Sequence, residues 1–245
     1  MIPLHLGLIG YPLGHSWSQR WFEEMFRRED IDGATYRLYP LPSLDGLREW
    51  VMREGLDGFN VTIPYKEAIL PFLDALDAEA RVIGAVNCVH VEGGRLTGHN
   101  TDAPAFRETI TKTITKTGKK ALVLGTGGAS KAVYHALRQL GIAPTLVSRT
   151  PGAHPGAVSY TEAAALMQSH LLVVNATPVG MYPDVEATPW PRPDLWTSRH
   201  LAYDLVYNPS PTRFLREAAA HGAATLGGLA MLHRQAELSW EIWQG

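Results

Sequence analysis

The chain has 245 residues, 45% of them hydrophobic and 19% charged, with a formal net charge of −2. That is enough apolar material for one large or two ordinary globular domains, and too even a charge balance for nucleic acid or an anionic membrane surface as main partner. The single cysteine, Cys88, excludes an intrachain disulfide and suits a reducing, cytoplasmic compartment.

The opening residues carry no basic leader, and Pro3, Gly7, Gly10 and Pro12 interrupt them, which predicts a strand and loop rather than a signal peptide. No apolar run reaches the roughly 18 residues of a membrane span. Residues 4–9 read as a buried strand. Trp17, Trp21, Phe22, Met25 and Phe26 then recur at helical spacing, with Glu23, Glu24, Arg27 and Arg28 opposite. Residues 36–41 suit a second strand, and Ser43 an N-cap for a helix through Arg53. Residues 58–63 suit a third strand ended by Pro64, and 66–76 a helix interrupted by Pro71. Residues 86–91 and 95–98, joined at Gly93-Gly94, read as a hairpin. This alternation predicts an α/β first half. Residues 109–117 (TITKTITKT) alternate like a strand, but their flanks favour a helix leading into a second domain. Further on, 171–177 and 201–207 are buried-strand candidates, and 214–221 and 229–243 helices.

Between these lies the most telling local pattern. The apolar run 121–124 stops at Gly125-Thr126-Gly127-Gly128, and a helix pattern over 129–140 follows at once, with Gly141 as its stop. Strand, glycine turn and helix in that order form the phosphate turn of a dinucleotide domain: small residues admit backbone N–H groups to a pyrophosphate, and the helix N-terminus faces it. Residues 144–147 read as the next strand, ending in Ser148-Arg149-Thr150. An NAD site carries an acid there, whereas an arginine accommodates a 2′-phosphate, so these residues favour NADP. A tight turn without ligand and a solvated arginine stand as the plainer readings.

In the first half, polar residues gather where strands end: Ser16, Ser18, Asn60, Thr62, Lys66, Asn87, Asn100, Thr101 and Asp102. Asn60 and Thr62 alternate on one strand and so share a face. Each residue has a structural alternative. Asp102 before Ala103-Pro104 suits a helix cap, Ser16 and Ser18 could cap the first helix, and Lys66 could be a surface lysine. Cys88 reads as a small core residue, with nothing marking it as activated. His15 and His99 lack metal-ligand spacing, and no metal site is expected.

Taken together, these segments resemble the shikimate dehydrogenases. The resemblance runs nearly end to end, through Gly10-Tyr11-Pro12-Leu13-Gly14-His15-Ser16-Trp17-Ser18, Asn60-Val61-Thr62-Ile63-Pro64-Tyr65-Lys66, Gly84-Ala85-Val86-Asn87 and Gly98-His99-Asn100-Thr101-Asp102. It continues through the glycine turn, Ser148-Arg149-Thr150, Asn175-Ala176-Thr177-Pro178-Val179-Gly180-Met181, Asp204-Leu205-Val206-Tyr207-Asn208-Pro209 and Gly228-Leu229-Ala230-Met231-Leu232-His233-Arg234-Gln235-Ala236. It implies a two-domain α/β enzyme. A substrate domain, residues 1–103 completed by 228–245, would accompany a doubly wound Rossmann-type NADP domain over 104–227, with the active site in a cleft that opens and closes.

The implied reaction is the NADP-linked interconversion of 3-dehydroshikimate and shikimate in aromatic amino-acid biosynthesis. Lys66 and Asp102 would be the catalytic pair. Ser16 and Ser18 would take the substrate carboxylate, and Asn60, Thr62, Asn87 and Gln235, with Tyr207, the rest of the substrate. Gly125, Gly127, Gly128 and Ala129 would receive the pyrophosphate, and Ser148, Arg149 and Thr150 the 2′-phosphate. Thr177, Val206, Gly228 and Met231 would line the nicotinamide side. Burial would make Lys66 a better base and a neighbouring Asp102 a poorer one, so the pair is assigned rather than one base.

The chain departs from the family pattern in three places. Gln19 replaces a common proline, and Cys88 a common threonine. His154 stands where a second basic residue often follows Arg149, which weakens the expected preference for NADP. Two rival readings remain: a quinate/shikimate paralogue with relaxed cofactor use, and a non-catalytic ligand-binding regulator of the same fold. A monomer or homodimer is expected, with a small molecule as partner.

Overall fold

The computed structural model describes residues 4–14, 17–111, 113–114 and 118–245. The chain divides into two compact units, residues 1–101 with 233–245, and residues 102–232. The sequence-based boundaries at 103/104 and 227/228 lie two residues after the first break and five before the second.

The first unit is built on a six-stranded mixed sheet in the order β2-β1-β3-β5-β6-β4. These strands are β1 (His5–Gly10), β2 (Thr35–Pro40), β3 (Gly58–Val61), β4 (Ala75–Leu76), β5 (Cys88–Glu92) and β6 (Arg95–His99). β1 pairs parallel to both β2 and β3, and β5 runs antiparallel to β3 and β6. Side-chain alternation along β1 divides the core. Leu6 and Leu8 join Phe22, Met25 and Phe26 of α1 (Ser18–Arg28) and Ala236, Trp240 and Trp243 of α9 (Leu229–Gln244), while Ile9 joins Leu47 and Val51 of α2 (Leu47–Glu54). Trp243 anchors α9 to this unit by donating its indole N–H to the Val89 carbonyl at 2.9 Å.

The second unit carries a five-stranded, wholly parallel sheet, β11-β10-β9-β7-β8. Its strands are β7 (Lys120–Leu124), β8 (Ala143–Val147), β9 (Leu172–Asn175), β10 (Leu201–Asp204) and β11 (Ala224–Leu226). Within the unit this is the order 2-1-3-4-5, a doubly wound sheet whose winding reverses between β7 and β9. Beyond β8 the sheet ends in a single bridge, Val147 to Val158. Ala121–Leu124 and Leu172–Val174 are fully buried, as a sheet covered on both faces requires. Crossovers run through α6 (Gly128–Gln139), α7 (Tyr160–Leu166) and α8 (Arg213–Ala220), and α5 (Asp102–Thr111) precedes β7.

Several local expectations differ from what is found. The helix expected from Ser43 begins at Leu47; Ser43 instead accepts from the Asp45 backbone and donates to its carboxylate, forming a turn. The helix expected over 66–76 is only α3 (Tyr65–Ala68), followed by a 3-10 turn at Leu70–Phe72 and then β4, because Pro71 cannot continue an α-helix. A helix without a sequence-based expectation, α4 (Ala78–Ile83), starts where the Asp77 side chain accepts from the Ala80 N–H at 2.6 Å. β3 stops at Val61, so Thr62 lies beyond the strand, and β10 stops at Asp204 rather than running to 207. Of the threonine repeat at 109–117, residues 109–111 end α5, while 112 and 115–117 lie outside the described residues.

Candidate active site

In the first unit, polar side chains collect around the ends of β3 and β5. Asn87 is buried. Its amide donates to the Thr101 hydroxyl at 2.8 Å and reaches Gln235 of α9 at 3.4 Å, and its oxygen accepts from the Thr101 N–H at 2.7 Å. The Asn100 amide donates to the Ala85 carbonyl at 2.9 Å, which fixes the turn on the other side. Lys66 is half-buried on α3, and its carbonyl accepts from the Val86 N–H at 2.7 Å, tying α3 to the segment that carries Asn87. Thr62 and Gln235 are also half-buried. Asp102 is the first residue of the second unit; it is buried and opens α5, with Pro104 in that helix's first turn.

Asn60 lies within β3, while Thr62 follows its end. Asn60 is buried, and its amide donates to the Asn87 carbonyl at 3.1 Å and the Ser239 hydroxyl at 2.8 Å. Its oxygen accepts from the Tyr36 hydroxyl at 2.8 Å. Both amide hydrogens are thus engaged within the unit. Tyr36 also bonds Ser18, and burial holds its hydroxyl well above the ordinary tyrosine value despite that bond. Ser16, the other carboxylate-binding candidate, lies outside the described residues, as does His15.

Sequence reading missed Ser239, Tyr36 and the Asp77–His99 pair. Ser239 is buried one helical turn after Gln235, whose carbonyl accepts its hydroxyl at 2.9 Å, so the i, i+4 spacing on α9 was the available signal. His99 Nδ1 lies 2.9 Å from Asp77 Oδ2. Burial pushes the Asp77 carboxyl upward, but the His99 and Ala80 bonds outweigh it and leave the group below the ordinary value. Cys88 is buried, and burial raises its thiol to about 12, as expected of an unreactive core residue.

The second unit places the glycine turn at the carboxyl end of β7, at the winding reversal. Gly125 has φ +105, and a Cβ there would lie 2.9 Å from Thr177 Cγ2 and 3.0 Å from Ser130 Oγ, so only glycine fits. Nothing lies within 4 Å of a Cβ built on Gly127, which leaves open space above the turn. α6 begins at Gly128 without a side-chain cap, and the buried Ser130 hydroxyl has no hydrogen-bond partner among the described residues. Uncapped first-turn N–H groups beside an open, glycine-lined turn fit a pyrophosphate.

At the neighbouring end of β8, Ser148 accepts from the Thr150 N–H at 3.1 Å, and Arg149 and Thr150 are exposed. No ion pair to Arg149 occurs among the described residues. Thr126 of the glycine turn bonds His154 at 3.1 Å, so that histidine is tethered to the turn. On the other side of β7, Thr177 is held by Asn175, Val206 is buried after β10, and Gly228 and Met231 are buried around the start of α9. Tyr207 is half-buried on the same loop as Val206. Among the described residues there is no group of three or more His, Cys, Asp or Glu able to hold a metal ion, and no helix is long and apolar enough to cross a membrane.

Comparison with known proteins bears on both units. A family model described as the shikimate dehydrogenase substrate binding domain matches residues 8–89. A shikimate dehydrogenase (NADP(+)) from Salinibacter ruber is 39% identical over 261 residues, covering 96% of this chain and 90% of that protein. The structure of shikimate 5-dehydrogenase from Thermus thermophilus in complex with NADP(H) and shikimate aligns with TM-score 0.88 and 38% identity over 99% of this chain and 94% of that one. A quinate dehydrogenase from Corynebacterium glutamicum in complex with NAD aligns with TM-score 0.86 but 28% identity, over 100% and 95% of the two chains. With relatives this similar across almost its whole length, the chain belongs to the shikimate dehydrogenase family.

Proposed function

We propose that this chain catalyses the reversible NADP-linked reduction of 3-dehydroshikimate to shikimate. The observation that carries the reading is the match over 99% of the chain to a shikimate 5-dehydrogenase solved with NADP(H) and shikimate. The open glycine turn and the exposed Arg149 support it from this chain's own residues.

When bound, NADP supplies hydride transfer. The chain's residues would do the rest. The turn at Gly125, Gly127, Gly128 and Ala129 holds the pyrophosphate through backbone N–H groups, and Ser148, Arg149 and Thr150 hold the 2′-phosphate. Thr177, Val206, Gly228 and Met231 line the nicotinamide end. Ser16 and Ser18 bind the substrate carboxylate, and Thr62, Asn87, Gln235 and Tyr207 bind its hydroxyls. Asn60 acts by positioning, since its partner Tyr36 also bonds Ser18. Lys66 and Asp102 hold the proton that enters or leaves the reacting oxygen. We place the enzyme in the cytoplasm, in keeping with its single buried cysteine.

The test is NADPH formation from shikimate and NADP⁺, followed by absorbance and run beside NAD⁺ and quinate. Turnover with shikimate and NADP⁺ above all other pairs is expected. Turnover only with quinate or NAD⁺ would overturn the specificity, and binding of shikimate and NADP⁺ without turnover would point to a regulator. The quinate reading is the second choice, favoured by the NAD-bound quinate dehydrogenase of similar fold and by the histidine at 154 in place of a permanently charged side chain.

A further inference from the structure

Asp204 closes β10 and is buried among neutral groups. One carboxylate oxygen accepts from the Asn175 amide at 2.8 Å and the Val206 N–H at 2.9 Å; the other accepts from the Thr212 hydroxyl at 2.6 Å. These donors come from the end of β9, the loop after β10 and the cap of α8. None is a cation, so burial outweighs their pull and pushes the Asp204 carboxyl up to about 6. A buried carboxylate without a cation is a poor choice for stability alone. It is a good choice where donors converge, because it accepts several and has none of its own to place.

The bonds continue outward. Asn175, fixed by Asp204, accepts from the Thr177 N–H at 3.0 Å and the Thr177 hydroxyl at 2.6 Å, and its amide reaches the Val179 carbonyl at 3.3 Å. A Cβ on Gly228 would sit 2.2 Å from the Leu205 carbonyl oxygen and 3.1 Å from that of Asp204, so segment 227–228 lies backbone to backbone on the same loop. One carboxylate therefore organises Thr177, Val206 and Gly228. In a doubly wound sheet a dinucleotide crosses the winding reversal. With Arg149 at the end of β8 on one side, the opposite end of the ligand falls on β9 and β10.

We propose that Asp204 is the positioning residue of the nicotinamide end of the cofactor site, holding the loops after β9 and β10 that receive it through Asn175, Val206 and Thr212. The proposal rests on the NADP reading above. Its test measures dissociation constants by calorimetry for two probes: NADPH, and adenosine 2′,5′-bisphosphate, which lacks the nicotinamide. Asp204→Ala should weaken NADPH about ten-fold or more and leave the bisphosphate within about two-fold, with kcat for shikimate oxidation lowered at saturating cofactor. Asp204→Asn should restore most of the loss, since the Thr212 hydroxyl can rotate to accept from the new amide. Thr212→Val should give the same split in weaker form, which covers the case in which the alanine variant does not fold. Equal weakening of both probes in a folded variant, or no change in either, overturns the proposal. Failure of the unmodified protein to bind either probe would instead remove the NADP reading itself.

Discussion

Lys66 and Asp102 show how little of a catalytic assignment lives in the side chain alone. Lys66 is half-buried on a four-residue helix whose carbonyl is bonded to Val86, and Asp102 is buried at the opening of α5. Replacing either with alanine should lower turnover by about a hundred- to ten-thousand-fold, as loss of an acid–base group does. Steady-state kinetics, with circular dichroism as the check on folding, decides it, and near-normal turnover in a folded variant removes that residue from the pair. Arg149 poses a narrower question. It is exposed and makes no ion pair among the described residues, so its guanidinium is open to a phosphate. Arg149→Ala should raise the dissociation constant for NADP⁺ about ten-fold or more and leave that for NAD⁺ nearly unchanged. Equal effects on the two would show that Arg149 does not read the 2′-phosphate.

Elements whose signals are local were legible in the sequence. The strand–glycine–helix order of β7 and α6 was legible because it depends on neighbouring residues: an apolar run, a turn that only glycine fits, and helical spacing after it. Elements set by distant partners were not. α4 is six residues long, too short for a periodic signal, and depends on the Asp77 cap whose carboxylate is also tied to His99 from β6. α3 was overread because a helical pattern spans Pro71 without showing where the chain turns back to pair with β6. The internal hydrogen bonds of Asn60 were hidden for the same reason, since its partners Tyr36 and Ser239 lie 24 and 179 residues away. A cap that is purely local allows a sharp test. Ser159 and Glu162 form a reciprocal capping box on α7. Ser159→Ala should cost about 1 kcal/mol, a fall in Tm of roughly 2–4 °C by calorimetry, and leave turnover alone.

At the scale of the molecule, two buried groups set opposing responses to acid. Burial holds His170 below the ordinary histidine value, so the unfolded chain takes up that proton first, and stability falls as pH drops below about 6.5. Asp204 acts in the other direction. Its folded value of about 6 lies above the ordinary aspartate value of 3.8, so between those limits the folded state holds a proton that the unfolded chain releases. Acidification through that window therefore stabilises, by on the order of 3 kcal/mol. Urea midpoints measured from pH 7 to pH 4 should fall more steeply in Asp204→Asn and more gently in His170→Gln than in the unmodified protein. The reverse order would contradict both assignments.

The division of the chain has a consequence of another kind. The first unit is completed by residues 233–245, which follow the whole of the second unit in sequence. During synthesis, β1, β3 and β5 emerge long before Trp240 and Trp243, so the apolar surface formed by Leu6 and Leu8 of β1 with Phe22 of α1 waits without its α9 cover while the entire parallel sheet is made. The second unit, being continuous, can fold from the ribosome as it appears. The unit translated first is thus the last able to finish, and until α9 arrives its open apolar face is the surface a chaperone would hold.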